Sequence, residues 1–163
     1  MADDAGFDAF YQACYPRLLK QVALVTGDLA TAEDVLQEAF ARAGPRWQRL
    51  RAYDLPEAWV RRVAMNLAAD WSRRMRRRAA ALLRLGPAPS VPELSADTVD
   101  VIRAMQALPL GSRQVIVLHH LADLPVEEVG RRLGLPAGTV KARLARGRAT
   151  LARRLGMELQ PRT

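Results

Sequence analysis

The side chains best suited to binding another molecule are arginines, and they concentrate in two stretches of the chain. Arg accounts for 23 of the 25 basic residues, and its planar guanidinium pairs with phosphates and base edges better than the ammonium of Lys. Residues 71–86 contain six Arg and no acidic residue, and residues 101–163 contain 11 basic and four acidic residues. A net charge of +8 divided in this way indicates two surfaces for a polyanion. For the preference for Arg over Lys, the alternative explanation is a GC-rich genome, which enriches both Arg and Ala.

The second basic stretch has the pattern of a helix-turn-helix. Residues 125–133 predict a short helix, residues 134–138 a turn that opens on glycine, and residues 139–155 a longer basic helix. At 100° per residue the core side of the longer helix carries Val140, Leu144, Gly147, Leu151 and Leu155. The opposite side carries Ala142, Ala145, Arg146, Ala149 and Arg153, and the flanks carry Lys141, Arg143, Arg148 and Arg154. Small residues beside Arg146 favour its contact with guanine, and the flanking cations suit phosphates; the alternative is a solvated helix.

The first basic stretch is the end of a helix predicted to begin just after Asp54. Asp54 and Glu57 have the spacing of a capping box. One side of this helix is apolar, with Val60, Val63, Ala64, Leu67, Ala68, Trp71 and Met75. Residues 73–78 are a cationic run that suits a nuclear-localisation-like, membrane-surface or nucleic-acid patch. Tyr53 lies where its ring could stack on an unpaired base, or it packs on Trp47 or Trp59.

An acidic helix face is predicted nearer the start of the chain. Thr31 is the expected N-cap, and the apolar stripe consists of Ala32, Val35, Leu36, Ala39, Phe40 and Ala43. The opposite face carries Glu33, Asp34, Gln37 and Glu38, and on composition alone it is best read as a solvated face. The preceding helix, over residues 7–25, contains Pro16, which should kink it or split it in two.

These elements predict an all-α fold of two small helical domains joined by an extended linker. Prolines at 87, 89 and 92 disfavour helix between the two basic stretches. The predicted domains are residues 1–80 and 97–163, with the linker at 81–96. In the second domain, residues 97–108 and 112–121 predict two more helices, with Ser112 as the N-cap of the second, and Gly147 is expected to permit close helix packing.

Several classes of protein are disfavoured by what the sequence lacks. The one cysteine, Cys14, allows no intramolecular disulfide or cysteine-cluster metal site. Neighbouring residues His119 and His120 point about 100° apart on a helix and have no further ligands at usable spacing. We find no phosphate loop, nucleophile elbow or paired-acid site, no basic signal segment and no apolar run of about 20 residues. We therefore expect a soluble cytoplasmic protein that needs no metal or cofactor and is not an enzyme.

Four segments in order resemble the extracytoplasmic-function (group 4) bacterial RNA polymerase sigma factors, most like actinobacterial members. They are residues 26–40 (TGDLATAEDVLQEAF), 57–74 (EAWVRRVAMNLAADWSRR), 108–118 with Leu108-Pro109 and RQVIVL, and 138–143 (GTVKAR). The resemblance covers residues 7 to 155 and implies sigma region 2 in the first domain and region 4 in the second.

The resemblance also implies a role for each matching residue. The face of Asp34, Gln37 and Glu38 corresponds to the surface that docks on the β′ clamp coiled coil of core RNA polymerase. Tyr53 and Asp54 correspond to the loop that captures a flipped base of the minus-ten element. The helix that holds the melted non-template strand is matched by Arg62, Asn66, Arg73 and Arg74. In the second domain, Thr139, Lys141 and Arg143 would face phosphates of the minus-thirty-five duplex, and Ala142, Ala145 and Arg146 its bases.

The function implied is that of a promoter-specificity subunit, which binds core polymerase and directs transcription initiation. Further implied contacts are the β flap for the second domain and an anti-sigma factor as a candidate regulator. Ala142 and Ala145 depart from the polar or aromatic residues of many members, which would leave base readout more to Arg146 and DNA shape. Pro125 and Pro136 likewise replace the usual Ser or Thr caps. The alternative function is a stand-alone helix-turn-helix regulator whose first half mediates oligomerisation.

Overall fold

In a computed structural model, the described residues, 4–52, 55–81 and 96–156, form helices and short connections without a β-strand. They belong to two compact units. The prediction of two helical domains is therefore confirmed. The predicted linker lies, except at its two ends, outside the described residues, so its extended form and its bounds stay predictions.

The first unit is built from three long helices. Helix α1 spans Asp4–Thr26, α2 spans Leu29–Ala43, and α4 spans Pro56–Ala81. A 3-10 turn at Gly44–Arg46 and the short helix α3 at Trp47–Leu50 connect α2 to the segment before α4. Helices α1, α2 and α4 all pack on one another, and Leu18, Val22, Leu36 and Val60 are fully buried between them.

Three predictions for this unit are corrected by the structure. Of the kink or split predicted at Pro16, the split is wrong, because Pro16 lies inside one continuous helix; the kink stays a prediction. The N-cap of α2 is Asp28 rather than Thr31: the Asp28 carboxylate accepts hydrogen bonds from the amide of Thr31 at 2.8 Å and from its hydroxyl at 2.5 Å. The helix thus begins two residues before Thr31, which occupies its third position. Met75, predicted in the apolar stripe, is 42% exposed, since the last turns of α4 run past the core.

Aromatic rings fill one end of the first unit. Phe40 of α2 meets the rings of Tyr11 and Phe10 of α1 at centroid distances of 4.7 and 5.9 Å. Trp47 of α3 stacks on Phe10 at 5.0 Å and meets Phe7 edge-on at 5.5 Å. Aromatic contacts therefore hold α1, α2 and α3 together at this end.

The second unit contains α5 at Ala96–Gln106, α6 at Leu110–Ile116, α7 at Val126–Leu133 and α8 at Ala137–Leu155. A π-helical turn at Val117–Leu121 extends α6. Helix α8 packs on α5, α6 and α7, with Val140 and Leu144 buried as predicted. Ser112 is not an N-cap, because α6 already begins at Leu110 after Pro109, whose carbonyl accepts the Ser112 amide hydrogen bond at 2.9 Å.

Close approach at two glycines holds the helices of the second unit together. A Cβ at Gly147 would lie 2.5 Å from Cδ1 of Ile116, which confirms the predicted close packing of α8 on a neighbouring helix. A Cβ at Gly130 would lie 2.6 Å from the carbonyl oxygen of Leu135, whose amide donates to the Gly130 carbonyl at 2.8 Å. The turn between α7 and α8 begins at Gly134, whose φ of 66° favours glycine.

Candidate nucleic-acid interface

Helix α8 presents a cationic surface on its solvent side. Ala142, Ala145 and Arg146 are exposed, as is Lys141, whereas Thr139 and Arg143 are half-buried. The small side chains at 142 and 145 leave space beside the guanidinium of Arg146. The helix thus has the shape and charge that entry into a major groove requires.

The charges of α7 and α8 differ in how far they are neutralised. On α7, Glu128 forms ion pairs with both Arg131 and Arg132, the latter at 2.6 Å. The hydrogen bond from Arg132, with the charges of both arginines, holds the pKa of the Glu128 carboxyl below its usual value. Within the described residues, no carboxylate forms an ion pair with a basic side chain of α8. The net positive charge of the helix-turn-helix therefore lies on α8, the helix that would face the DNA.

Helix α4 presents the second cationic surface. Arg62, Asn66, Arg73 and Arg74 are exposed, and every residue from 73 to 79 is exposed. Arg73 forms an ion pair with Asp70, one turn earlier, while Arg62 and Asn66 lie one turn apart on the same side of the helix. The predicted strand-holding residues thus share the solvent side of one helix.

A cavity of about 410 Å³ opens between α3 and the start of α4, next in sequence to Tyr53 and Asp54. Both of these predicted residues lie outside the described residues. The cavity is lined by Arg46, Arg49, Leu50, Leu55, Pro56, Trp59 and Arg62. Arg46 and Arg49 are not among the site residues predicted from the sequence; their three-residue spacing, about one helical turn, is the signal that could have indicated them.

An ion-pair network fixes the start of α4 against α1. The Glu57 carboxylate accepts hydrogen bonds from Arg17 of α1 and, at 2.6 Å, from Arg61 of its own helix. The Arg61 side chain is only 10% exposed and also donates to Gln21 of α1 at 2.9 Å. The hydrogen bond from Arg17 to Glu57 raises the pKa of that guanidinium further. Because Arg62 follows Arg61, this network orients the exposed face of α4.

The acidic face of α2 is solvent-exposed at Asp34, Gln37 and Glu38. Glu38 forms an ion pair with Arg42 at 2.8 Å. Burial, followed by the effects of Tyr11 and Glu33, raises the pKa of the neighbouring Tyr15 hydroxyl to about 12, although a hydrogen bond from Gln37 opposes the shift. Gln37 is thus held beside the ring of Tyr15, while Asp34 lies one helical turn earlier and is exposed.

The remaining candidate groups are the two histidines and Cys14. The His119 ring nitrogen Nδ1 lies 2.8 Å from the carbonyl of Leu124, and its ring packs edge-on against His120. No group of three or more potential metal ligands occurs among the described side chains. Burial raises the pKa of the Cys14 thiol to about 11. In the described segments, moreover, none of the helices combines the length and apolarity that crossing a bilayer demands.

Two helical units, one with a cationic helix end and one with a basic helix-turn-helix, define a nucleic-acid-binding protein with two separate contact surfaces. Comparison with known families matches sigma-70 region 2 to residues 10–78 and sigma-70 region 4 to residues 98–151. The chain is 30% identical to the RNA polymerase sigma-E factor of Streptomyces coelicolor, over 95% of this chain and 89% of that protein. It is also 30% identical to the ECF RNA polymerase sigma factor SigW of Bacillus subtilis, over 91% and 83% of the two chains.

A third relative is longer than this chain. Identity to the probable RNA polymerase sigma factor RfaY of Xanthomonas campestris is 33%, over 88% of this chain but only 38% of that protein. Among solved structures, the sigma factor RpoE of Bartonella quintana, crystallised with the anti-sigma factor NepR, matches with a TM-score of 0.69 and 21% identity over 94% of this chain and 99% of that one. At 21% identity, this structural similarity shows that the two chains share a fold.

The chain belongs to the extracytoplasmic-function sigma factors of the sigma-70 family. As a sigma factor it binds core RNA polymerase and directs promoter-specific initiation of transcription. A stand-alone helix-turn-helix regulator is not favoured, because the first unit matches region 2 rather than an unrelated oligomerisation module.

Proposed function

We propose that the two units divide promoter recognition between melted and duplex DNA. The first unit binds core polymerase through Asp34, Gln37 and Glu38 and holds the minus-ten element with Tyr53, Asp54, Arg62, Asn66, Arg73 and Arg74. The second reads the minus-thirty-five duplex with Thr139, Lys141, Ala142, Arg143, Ala145 and Arg146. The observation that carries this proposal is that each unit has its own exposed cationic helix, α4 and α8.

The capture of a flipped base is supported by the cavity between α3 and α4. It combines the apolar Leu50 and Leu55 and the ring of Trp59 with three arginines, and ligand pockets typically combine apolar walls with a few polar groups. Proteins that bind single-stranded DNA use stacking rings beside a cationic track. Tyr53 and Asp54 precede Leu55 directly, so a base held by that loop would meet the cavity wall.

The polymerase surface is supported by the way α2 separates its two faces. Val35, Leu36, Ala39 and Phe40 are buried, whereas Asp34, Gln37 and Glu38 are exposed. In a chain of net charge +8, this exposed face is acidic whereas α4 and α8 are cationic, which suits a basic protein partner. The proposed partner is the β′ clamp coiled coil, with the β flap binding the second unit.

We extend the proposal to the type of sigma factor, its location and its regulation. We infer an actinobacterial type, which the similarity to the Streptomyces protein supports, and a cytoplasmic protein that acts by binding, without catalysis or a cofactor of its own. An anti-sigma factor is a candidate regulator, as the structural relative from Bartonella quintana was crystallised with one.

Reconstituted transcription tests whether the chain acts as a promoter-specificity subunit of RNA polymerase. The full chain with core polymerase should initiate from a subset of a bacterial promoter library, whereas the chain alone should not. Absence of promoter-dependent initiation, together with tight duplex binding by the chain alone, would favour the stand-alone regulator instead.

Charge reversal tests the polymerase surface separately. Asp34→Arg should weaken core polymerase binding at least about tenfold, because it places like charges in a complementary interface. Asp8→Arg makes the same charge change at another exposed position of the first unit and serves as the control. Equal polymerase affinity of the two variants would move the docking surface away from α2.

A further inference from the structure

The side chain of Arg143 does not extend freely from α8 but lies against the start of α6. It is half-buried, and its guanidinium occupies the space in which Gly111 would carry a side chain. A Cβ built at Gly111 would overlap the Nη1 atom of Arg143 and lie 3.0 Å from its Cζ atom. The absence of a side chain at position 111 therefore determines where this guanidinium lies.

Arg143 shares a cavity with Arg146. The two side chains, three residues apart on α8, line a space of about 410 Å³ together with the hydroxyl residues Ser112 and Thr150. Among the described residues, none of those that line this cavity is acidic, so Arg143 and Arg146 border a common space without an opposing carboxylate. The Thr150 hydroxyl also accepts a hydrogen bond from Arg153 at 3.5 Å, so the guanidinium groups are the main donors. Guanidinium donors match the hydrogen-bonding needs of a phosphate oxygen.

We propose that Gly111 is a positioning residue for promoter binding: it keeps the guanidinium of Arg143 at the start of α6, where Arg143 binds a DNA backbone phosphate next to the base read by Arg146. This inference rests on the proposed function of α8 as the reader of duplex DNA. It adds a residue outside the helix-turn-helix to the recognition surface, and it makes the Arg143 contact dependent on the helix before it.

The variant Gly111→Ala isolates this role without an obvious risk to folding. The atoms that a new methyl group would meet belong to the far end of a flexible side chain, so Arg143 can move away while the backbone stays in place. Gly138→Ala is a matched control, because Gly138 also occupies the second position of a helix that follows a proline. Among the described residues, no neighbouring atom lies within 4 Å of a Cβ added there.

The experiment measures binding of the reconstituted holoenzyme to a promoter fragment selected from the library and to a scrambled duplex, over a range of salt concentrations. Gly111→Ala should weaken both complexes by a similar factor, about five- to tenfold, because a phosphate contact carries no sequence information. The slope of log affinity against log salt should become less steep by about 0.9, the value for one lost phosphate contact. Gly138→Ala should leave affinity and slope unchanged.

A double-mutant cycle decides whether the effect passes through Arg143. Arg143→Ala alone should reproduce the loss and the slope change, and Gly111→Ala should add less than about twofold in that background. A full further loss in that background, or wild-type affinity and slope for Gly111→Ala, overturns the inference. So does an unchanged slope for Arg143→Ala, a result that remains informative even if Gly111→Ala proves poorly folded.

Arg146→Ala separates this inference from the proposed function. If α8 reads duplex DNA, this variant should reduce the preference for the selected promoter over the scrambled duplex. If Arg146→Ala loses that preference while Gly111→Ala keeps wild-type affinity and salt slope, only the positioning role of Gly111 is refuted. If the preference is unchanged in Arg146→Ala and the salt slopes are unchanged in both Arg143→Ala and Arg146→Ala, the proposed role of α8 in binding duplex DNA is refuted as well.

Discussion

The two units pack their helices with different kinds of residue. All nine aromatic residues of the chain lie between positions 7 and 71, and none lies in residues 96–163. In the first unit, large rings bridge α1, α2 and α3. In the second, aliphatic side chains and glycines bring the helices close together at Gly130 and Gly147. One unit is held together by contacts among aromatic rings, and the other by aliphatic packing at glycines that lack a side chain.

This difference matches the DNA that each unit is proposed to bind. Unpaired bases expose their faces, on which aromatic rings can stack, and Trp59 and Tyr53 belong to the unit assigned to melted DNA. Base pairs in a duplex expose only their edges, which are read by hydrogen bonds from Arg and by close approach of small residues. A unit with Arg and Ala on its recognition helix, and without aromatic residues, suits that task.

Truncating the central ring of the first unit should have the largest effect. Phe40 is 3% exposed and contacts rings from α1, so Phe40→Ala should destabilise this unit by about 3–5 kcal/mol. Calorimetric unfolding checks this, with the exposed Leu55→Ala as a control expected to change little. Equal transition temperatures for Phe40→Ala and Leu55→Ala would contradict a core that depends on aromatic rings.

Adding one methyl group should have the next largest effect, and it should fall on the second unit. Gly130→Ala sets a Cβ against the Leu135 carbonyl oxygen, and because backbone atoms cannot move aside locally, we expect a loss of about 1–3 kcal/mol. Thermal unfolding followed by circular dichroism measures it against Gly138→Ala. If both alanines were tolerated equally, close backbone packing would not be what limits the stability of this unit.

Neutralising the half-buried carboxylate of Glu57 in the first unit should cost less. Glu57→Gln leaves Arg61, at 10% exposure, with a weaker partner, and we expect a loss of about 1–2 kcal/mol. The exposed pair of Glu38 and Arg42 supplies the control, because Glu38→Gln should cost less than about 0.5 kcal/mol. Urea unfolding compares the two variants, and the reverse order would show that the Glu57 network adds no more than a surface pair.

The smallest expected effect concerns alkaline pH and Cys14. The pKa of this thiol is about 11 in the folded chain and 9.0 as an ordinary value, mainly because of burial. Since the unfolded chain loses the proton first, the stabilisation is complete below pH 9.0 and is lost progressively toward pH 11. At about pH 9.5 the loss should be below about 1 kcal/mol, measured as the difference between wild type and Cys14→Ala. A thiol that reacts with alkylating reagents as fast as free cysteine at pH 8 would contradict the burial.

The sequence was sufficient where one helix face had to be apolar and the other charged. The core positions of α8, Val140 and Leu144, and the close approach at Gly147 followed from the 3.6-residue period and from glycine's lack of a side chain. The exposed residues of α4 and the acidic face of α2 followed from the same period. Periodicity predicts faces well because burial of apolar surface determines them.

The sequence was insufficient where two groups of similar local preference competed. Asp28 and Thr31 can each cap a helix, and the structure uses Asp28 to cap and Thr31 as a donor to it. The helix expected at Ser112 begins at Leu110 instead. The burial of Arg61 depends on Gln21 and on Glu57, of which Gln21 is 40 residues away, and the Arg143 position depends on Gly111. Contacts of this kind arise from tertiary packing, which no local pattern contains.

The unequal distribution of aromatic residues also gives each unit its own optical signal. Trp47, Trp59 and Trp71 all belong to the first unit, so intrinsic tryptophan emission reports on that unit alone, whereas far-ultraviolet ellipticity reports on the helices of both. Trp59 lines the cavity beside the proposed base-capture loop, and a base stacked nearby would quench it. Fluorescence of the unlabelled protein can therefore follow events at the melted strand while remaining insensitive to changes confined to the helix-turn-helix.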